Sequence, residues 1–292
     1  IATPTITTIY TVTGNNNCAD VAATTTITVV PLISPTVFPS SAWNVYCHNN
    51  TTFSNYYGYY THFGTGATGY DFNTATQWVS GAAPSTATAN ASGTAYQGCT
   101  MNATNISLSF KRTGFACGTY TVVLNNNDDG VAMFLDGVQV AQRTTNSAAA
   151  VNLWIGTLNT NSQVEFRLNQ GSGGSNLRVT FSAAAATSSL STWVGATSTD
   201  WFTASNWCGS GIPSSTTDVL VPSSRPVFMP VINAPGAACR SLTVSASSAS
   251  TAVMAAVPAA SLSVNSGNSL DVYGNWINNG VVTAGATSTI NL

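Results

Sequence analysis

Two adjacent aspartates, Asp128 and Asp129, are the residues in this sequence best suited to chemistry. Neighbouring carboxylates repel each other unless a cation or a tight turn holds them together. Calcium ions in proteins take roughly six to eight oxygen ligands from carboxylates, carbonyls and water. The pair therefore predicts a calcium site, and the alternative is an ordinary Asx turn between two strands.

Four tyrosines surround a glycine in the run from Tyr56 to Tyr60. Flat rings on a loop can stack against the apolar face of a sugar, and Tyr57 and Tyr59 are the residues that we expect to do so. Packing in a hydrophobic core is an equally good interpretation, because a tyrosine combines an apolar ring with a polar tip.

The residues available for catalysis are few: one glutamate, Glu165, eight aspartates and two histidines, His48 and His62. A retaining glycosidase needs two carboxylates about 5 Å apart on opposite sides of a sugar, and adjacent residues on one turn are badly placed for that. No Gly-rich phosphate loop follows a strand and opens a helix. We therefore expect a protein that is not an enzyme.

The six cysteines do not have the spacing of metal ligands, so disulfides in an oxidising, extracellular compartment are the expected use. Six cysteines allow 15 connectivities. We favour Cys208 with Cys239, because both lie alone in the C-terminal part of the chain. We also favour Cys99 with Cys117, because the alternating run between them could form a hairpin. The partners of Cys18 and Cys47 stay open.

The composition indicates an all-β protein. Charged residues make up 5% of the 292 residues, whereas an ordinary soluble domain has about 25%, and long solvated helices need such residues on their outer faces. Hydrophobic residues at 44% are enough for real cores. A net charge of −2 gives no basic surface for nucleic acid, and no apolar run is long enough for insertion into a membrane.

The first 40 residues predict a hairpin and a linker. Residues 1–30 alternate around a turn at Gly14-Asn15-Asn16-Asn17, and this pattern resembles the closing hairpin of immunoglobulin-like or polycystic-kidney-disease-type repeats in bacterial surface proteins. Prolines 31, 35 and 39 then predict a stiff, extended linker over residues 31–40.

Residues 41–186 predict a β-sandwich, and one segment in them is more specific. Residues 118–137 contain a Gly-x-Tyr strand, an Asp-Asp-Gly loop and a strand that ends in Asp136-Gly137, a pair that predicts a hairpin turn. This resembles the lectin-like domain named after the anthrax protective antigen. In sugar-binding members of that family, two neighbouring aspartates and an asparagine from a second loop hold a calcium ion that ligates glycan hydroxyls. The resemblance places Asp128 and Asp129 in the carboxylate positions and Asn176, with Asn169 as the alternative, in the third.

Residues 187–292 form a module rich in Trp and Cys that follows a Ser/Thr/Ala linker. The triplets Leu242-Thr243-Val244, Leu262-Ser263-Val264 and Leu270-Asp271-Val272 suggest stacked rungs of a β-solenoid. Together with Trp193, Trp201, Trp207 and Trp276, the pattern resembles modules of very large secreted adhesins of Bacteroidota. That resemblance implies a cell-surface location and a type IX secretion route.

These expectations combine into one functional hypothesis. The chain would be a segment of a larger adhesin or filament protein on the cell surface, with a calcium-dependent glycan-binding domain and with surface glycans or other copies of the protein as partners. One alternative is an accessory carbohydrate-binding module of a secreted polysaccharide-degrading enzyme. A second is a purely structural subunit of an extracellular appendage.

Overall fold

The computed structural model describes residues 8–15, 20–27, 33–64, 69–78, 84, 93–183, 189–209, 211–223, 228–247 and 258–292. Almost all regular structure in these residues is β, which confirms the predicted fold class. The helical exceptions within these ranges are α1 (Thr74–Gln77) and a 3₁₀ turn (Ala204–Asn206). In the same residues, no helix has the length and apolar character needed to cross a bilayer.

An antiparallel hairpin opens the described chain. It consists of β1 (Thr8–Asn15) and β2 (Asp20–Ile27), which pair from Thr8 opposite Ile27 to Asn15 opposite Asp20. Asn16, Asn17 and Cys18, which belong to the predicted turn and the predicted disulfides, lie outside the described residues, as does Pro31.

Two antiparallel sheets follow and share one hydrophobic core. Their strands are β3 (Trp43–His48), β4 (Tyr56–His62), β5 (Tyr70–Asn73), β6 (Gln97–Gly98), β7 (Ile106–Arg112), β8 (Gly118–Asp128), β9 (Val131–Leu135), β10 (Val138–Arg143), β11 (Val151–Leu158), β12 (Val164–Gln170) and β13 (Asn176–Ala183). One sheet has seven strands in the order β10-β9-β12-β7-β3-β4-β6, and the other has four in the order β11-β8-β13-β5.

The sequence alternation explains how these sheets pack. Ile106, Leu108 and Phe110 on β7 point into the core between the sheets, as the period of two residues predicts. Asp136 and Gly137 have φ angles of 50° and 79° and connect β9 to β10, so the predicted Asp-Gly hairpin turn is confirmed.

The described part of the predicted linker, residues 33–40, lies on the face of the seven-stranded sheet that points away from the core. The Tyr46 hydroxyl donates a hydrogen bond to the Val37 carbonyl at 2.7 Å. The Lys111 ammonium donates to the Pro35 carbonyl at the same distance. These bonds fix the Pro-rich segment to the sheet.

The C-terminal part is built from short strands in three mainly parallel sheets. The strands are β14 (Leu190–Trp193), β15 (Trp207–Gly209), β16 (Asp218–Val221), β17 (Val231–Ile232), β18 (Ala237–Cys239), β19 (Leu242–Val244), β20 (Ser261–Val264), β21 (Ser269–Val272), β22 (Trp276–Asn278), β23 (Val281–Ala284) and β24 (Thr289–Asn291). The sheets have the orders β15-β14-β16-β19-β22, β17-β20-β23 and β18-β21-β24, which is the arrangement of a three-sided solenoid.

The three predicted triplets are strands, but they are not successive rungs. They form β19, β20 and β21, and each belongs to a different sheet, so together they make the three sides of one rung. The stacking repeat is visible where side chains bond between rungs, at Ser263 with Thr283 and at Asp271 with Asn291, each 20 residues apart. The uneven spacing of the triplets reflects the lengths of the corners between sides.

The structure corrects both predicted disulfides, because it joins Cys117 to Cys208 with a Cα–Cα distance of 5.5 Å. Cys99 and Cys239, the partners predicted for them, carry free thiols, as does Cys47. Cys117 directly precedes β8 of the sandwich, and Cys208 lies in β15 beside the solenoid. The bond thus links two regions that the prediction treated separately.

Candidate functional site

The two aspartates lie at the junction between the two sheets of the sandwich. Strand β8 of the four-stranded sheet ends at Asp128, and β9 of the seven-stranded sheet begins at Val131. The peptide bond between Asp128 and Asp129 is cis. The Asn127 amide nitrogen donates to the carbonyl of Asp129 at 2.7 Å and to that of Thr145 at 2.9 Å. These two bonds hold the acidic loop against the segment that follows β10.

Each carboxylate is also oriented by a neighbouring segment. The Asn146 amide donates to Asp128 Oδ1 at 2.6 Å, and the Gly171 backbone N–H donates to Asp129 Oδ2 at 3.1 Å. The Ser175 hydroxyl donates to the backbone carbonyl of Asp128 at 2.8 Å. Three segments that are distant in sequence therefore meet at this pair.

Asn176, which the resemblance places in the third ligand position, pairs with Asp128 in the sheet. It is the first residue of β13 and lies directly opposite Asp128 on β8. Its amide oxygen is buried and has no hydrogen-bond partner among the described residues, and the same is true of the amide oxygens of Asn127 and Gln170. A buried oxygen without a donor is costly, and a cation in contact with it would offset that cost.

The electrostatics of the pair favour a bound cation. Burial raises the pKa of Asp128, and the neighbouring carboxylate of Asp129 raises it further, by charge repulsion and by hydrogen bonding. No group of three or more His, Cys, Asp or Glu side chains with metal-binding geometry occurs in the described residues. Any metal here would be held by two carboxylates with amide and carbonyl oxygens, a set of hard ligands that suits Ca²⁺.

A cavity of about 420 Å³ opens beside Asp129. Its wall combines apolar surface with polar groups and is contributed by Thr51, Asp129, Gly130, Val131, Ala132, Gln142, Arg143, Thr144, Asn169 and Gly171. We call it the Asp129 groove. Asn169, the alternative third ligand, lines this groove, whereas Asn176 lies opposite Asp128 in the β8–β13 pair.

The two tyrosines predicted to stack on sugar do not line the groove. Tyr57 is half-buried and packs against the sandwich core. The ring of Tyr59 lies 6.2 Å from that of Tyr46, centroid to centroid, on the opposite face of the same sheet. The structure thus favours the packing interpretation for both, because their neighbours are other protein side chains.

Sequence reasoning missed most of the groove wall. Thr51 follows β3, while Gln142, Arg143 and Thr144 belong to the end of β10 and the residue after it. None of them belongs to a recognisable motif. One signal could have identified them: a strand that follows an Asp-Gly hairpin returns antiparallel to its partner, so the end of β10 must lie beside the start of β9.

Comparisons with known proteins place these observations in context. No protein-family model and no curated protein matches the chain. Two solved structures are similar to it, the PA14 sugar-binding domain from an RTX adhesin and the PA14 domain of the MpAFP antifreeze protein. Each is 14% identical with a TM-score of 0.35; the alignments cover 50% and 52% of this chain and 91% and 89% of the two structures. A likeness this distant says nothing about the ligand of this chain.

Proposed function

We propose that the chain is a segment of an extracellular adhesin that binds glycans through a calcium ion held at Asp128 and Asp129. One observation carries the proposal: Asn176 pairs with Asp128 across β13 and β8, its buried amide oxygen has no hydrogen-bond partner in the described residues, and Asp129 lines an open groove. A plain Asx turn would not account for that oxygen.

Calcium fits the donors that this loop provides. Asp128, Asp129 and Asn176 would hold the ion, and a divalent charge would favour the ionised form of Asp128, whose pKa is raised by burial and then by the charge of Asp129. When bound, the ion would supply a positive centre for sugar hydroxyls. The hydrogen bonds from Asn146 and Gly171 keep one oxygen of each carboxylate in place before the ion arrives.

The groove has the character of a sugar site. Hydroxyl groups of Thr51 and Thr144 and amides of Gln142 and Asn169 line it, and these groups can both donate to and accept from sugar hydroxyls. Its volume of about 420 Å³ lies within the range of small-molecule pockets.

The extracellular setting rests on separate observations. The Cys117–Cys208 disulfide requires an oxidising compartment. With 5% charged residues, the chain also depends little on ion pairs that salt would screen. Attachment to a Bacteroidota cell surface after type IX secretion belongs to the same proposal and rests on the resemblance of the C-terminal Trp pattern.

Calcium titration by calorimetry on the full 292-residue chain tests the proposal. The parent should bind calcium, and the double variant Asp128→Asn/Asp129→Asn should not. Asp271→Asn is the matched control, since it removes a carboxylate of the solenoid that accepts a hydrogen bond from Asn291. A glycan array with and without calcium then tests whether glycan binding depends on the ion. A parent that binds no calcium, or that binds glycans equally well in EDTA, would contradict the mechanism.

A further inference from the structure

Arg143 differs from the other lysines and arginines of the described residues because it has neither a carboxylate partner nor a ring contact there. Four of the six lysines and arginines in these residues pair with carboxylates, namely Lys111 and Arg167 with Glu165, Arg178 with Asp71, and Arg240 with Asp218. Arg112 lies against the rings of Trp43 and Phe115. Arg143 has no ion pair or ring contact within the described ranges, and its Nε is buried without an acceptor there.

The backbone directs this arginine to the Asp129 groove. Arg143 ends β10 and pairs with Val131, the first residue of β9, only two positions after Asp129. Gly130 permits this approach, because a Cβ atom at that position would lie 3.2 Å from the Arg143 carbonyl oxygen. Arg143 and Asp129 consequently line the same groove while they do not form an ion pair with each other.

The charges around the groove define what would complement them. Asp129 and Arg143 are the charged residues in its described wall, and Asp128 adds one further negative charge next to it. With a calcium ion on the two aspartates, the carboxylates are neutralised and the guanidinium leaves one net positive charge. Arginine presents its N–H donors in a planar fork that matches a carboxylate or a sulfate.

From this arrangement we propose that the groove selects acidic glycans and that Arg143 binds their single anionic group. This proposal rests on the proposed function, since it names the class of sugar taken by the same site. A hydroxyl of a neutral sugar can accept a hydrogen bond from Arg143 but cannot balance its charge, whereas a carboxylate or sulfate does both, and hydrogen bonds between charged groups are the stronger ones.

The test compares neutral and acidic forms of the same sugar backbones on a glycan array in calcium, with uronic acids and sulfated sugars as separate arms. Four proteins are compared, each as the full chain: the parent, Arg143→Gln, Arg143→Lys and Arg240→Gln. The last is the control, because it removes an equal charge from the solenoid. The parent and the control should prefer acidic forms by about tenfold or more, because hydrogen bonds to charged groups are typically worth that factor. Arg143→Gln should bind both forms equally, and Arg143→Lys should retain part of the preference.

A direct readout accompanies the array. The Nε–H resonance of Arg143 in NMR spectra should shift when an acidic sugar is added and stay in place with its neutral form. Equal binding of both forms by the parent, or a preference that persists in Arg143→Gln, would overturn the role of Arg143 and leave glycan binding itself intact. If the parent binds no glycan at all, the proposed function fails and the acidic preference fails with it.

Discussion

Asn176 lies directly opposite Asp128 on the neighbouring strands β13 and β8, with its amide oxygen buried and without a hydrogen-bond partner in the described residues. Asp128 ends β8 and Asn176 begins β13, so the pairing of these two strands keeps the Cα atoms of the two residues opposite each other.

Replacing Asn176 with Ala should weaken calcium binding. The expected loss is about 1.5 to 3 kcal/mol, since a polar contact with a charged partner is typically worth that much. Without calcium the variant should be no less stable than the parent, because the lost oxygen forms no hydrogen bond in the described structure. Calorimetry in calcium and thermal unfolding in EDTA measure the two effects. Asn152→Ala on the exposed side of β11 is the control, and an equal loss there would contradict the assignment.

Calcium affinity should fall in acid. Burial and the charge of Asp129 raise the pKa of Asp128 above its usual value, so protons compete with the metal as the pH falls through that raised pKa. A raised pKa in the folded state also means that, without calcium, the stability from this group is present at low pH and is lost as the pH rises. Asp128→Asn should therefore make the calcium-free protein more stable at neutral pH, as urea unfolding in EDTA would show. If Asp128→Asn were instead less stable than the parent, the repulsion between Asp128 and Asp129 would be contradicted.

Local patterns predicted the strands and the acidic loop, while contacts distant in sequence were out of reach. The Asp136-Gly137 turn was predictable because few residue pairs adopt two successive positive φ angles. The same turn implies that the end of β10, including Arg143, lies beside the start of β9, but no motif at the strand end indicates the groove that forms there. The packing of residues 33–40 was also missed, because spaced prolines favour extended chain in a linker and on a sheet alike.

Glu165, the single glutamate of the chain, should stabilise the sandwich through a buried ion cluster. It is 5% exposed, and its carboxylate accepts hydrogen bonds from Arg167 at 2.9 and 3.1 Å and from the Ser109 hydroxyl at 2.6 Å. The Lys111 ammonium lies 3.6 Å away. Glu165→Gln should lower the free energy of unfolding by about 3 kcal/mol, because it leaves cations without their buried partner. Asp71→Asn, which breaks the exposed pair with Arg178, should cost less than about 1 kcal/mol.

The same carboxylate should make stability depend on pH. Burial alone would raise the pKa of Glu165, but the hydrogen bonds from Arg167 and Ser109 and the charge of Lys111 outweigh it and lower the pKa. Glu165 therefore stabilises the folded protein above its unfolded pKa of about 4.3. This stabilisation is lost as the pH falls through the lower pKa of the folded state. Urea unfolding between neutral pH and pH 3 should show this loss in the parent and a smaller slope in Glu165→Gln. Identical slopes in the two proteins would contradict this prediction, because other carboxylates would then account for the pH dependence of stability.

Opening the Cys117–Cys208 disulfide should destabilise the protein more than any other cysteine change outside the core. The bond closes a loop across 91 residues, and the chain-entropy estimate for a loop of that size is about 4.6 kcal/mol. Cys117→Ser and Cys208→Ser should cause similar losses, because each opens the same bond. Cys99→Ser, at an exposed free thiol, should change little.

Peptide mapping under non-reducing conditions identifies the pair directly, and a fragment that links Cys208 to Cys239 would restore the pairing inferred from sequence. Because Cys117 precedes the strand that ends at Asp128, loss of the bond should leave calcium affinity unchanged unless β8 itself shifts, which calorimetry on either serine variant would reveal.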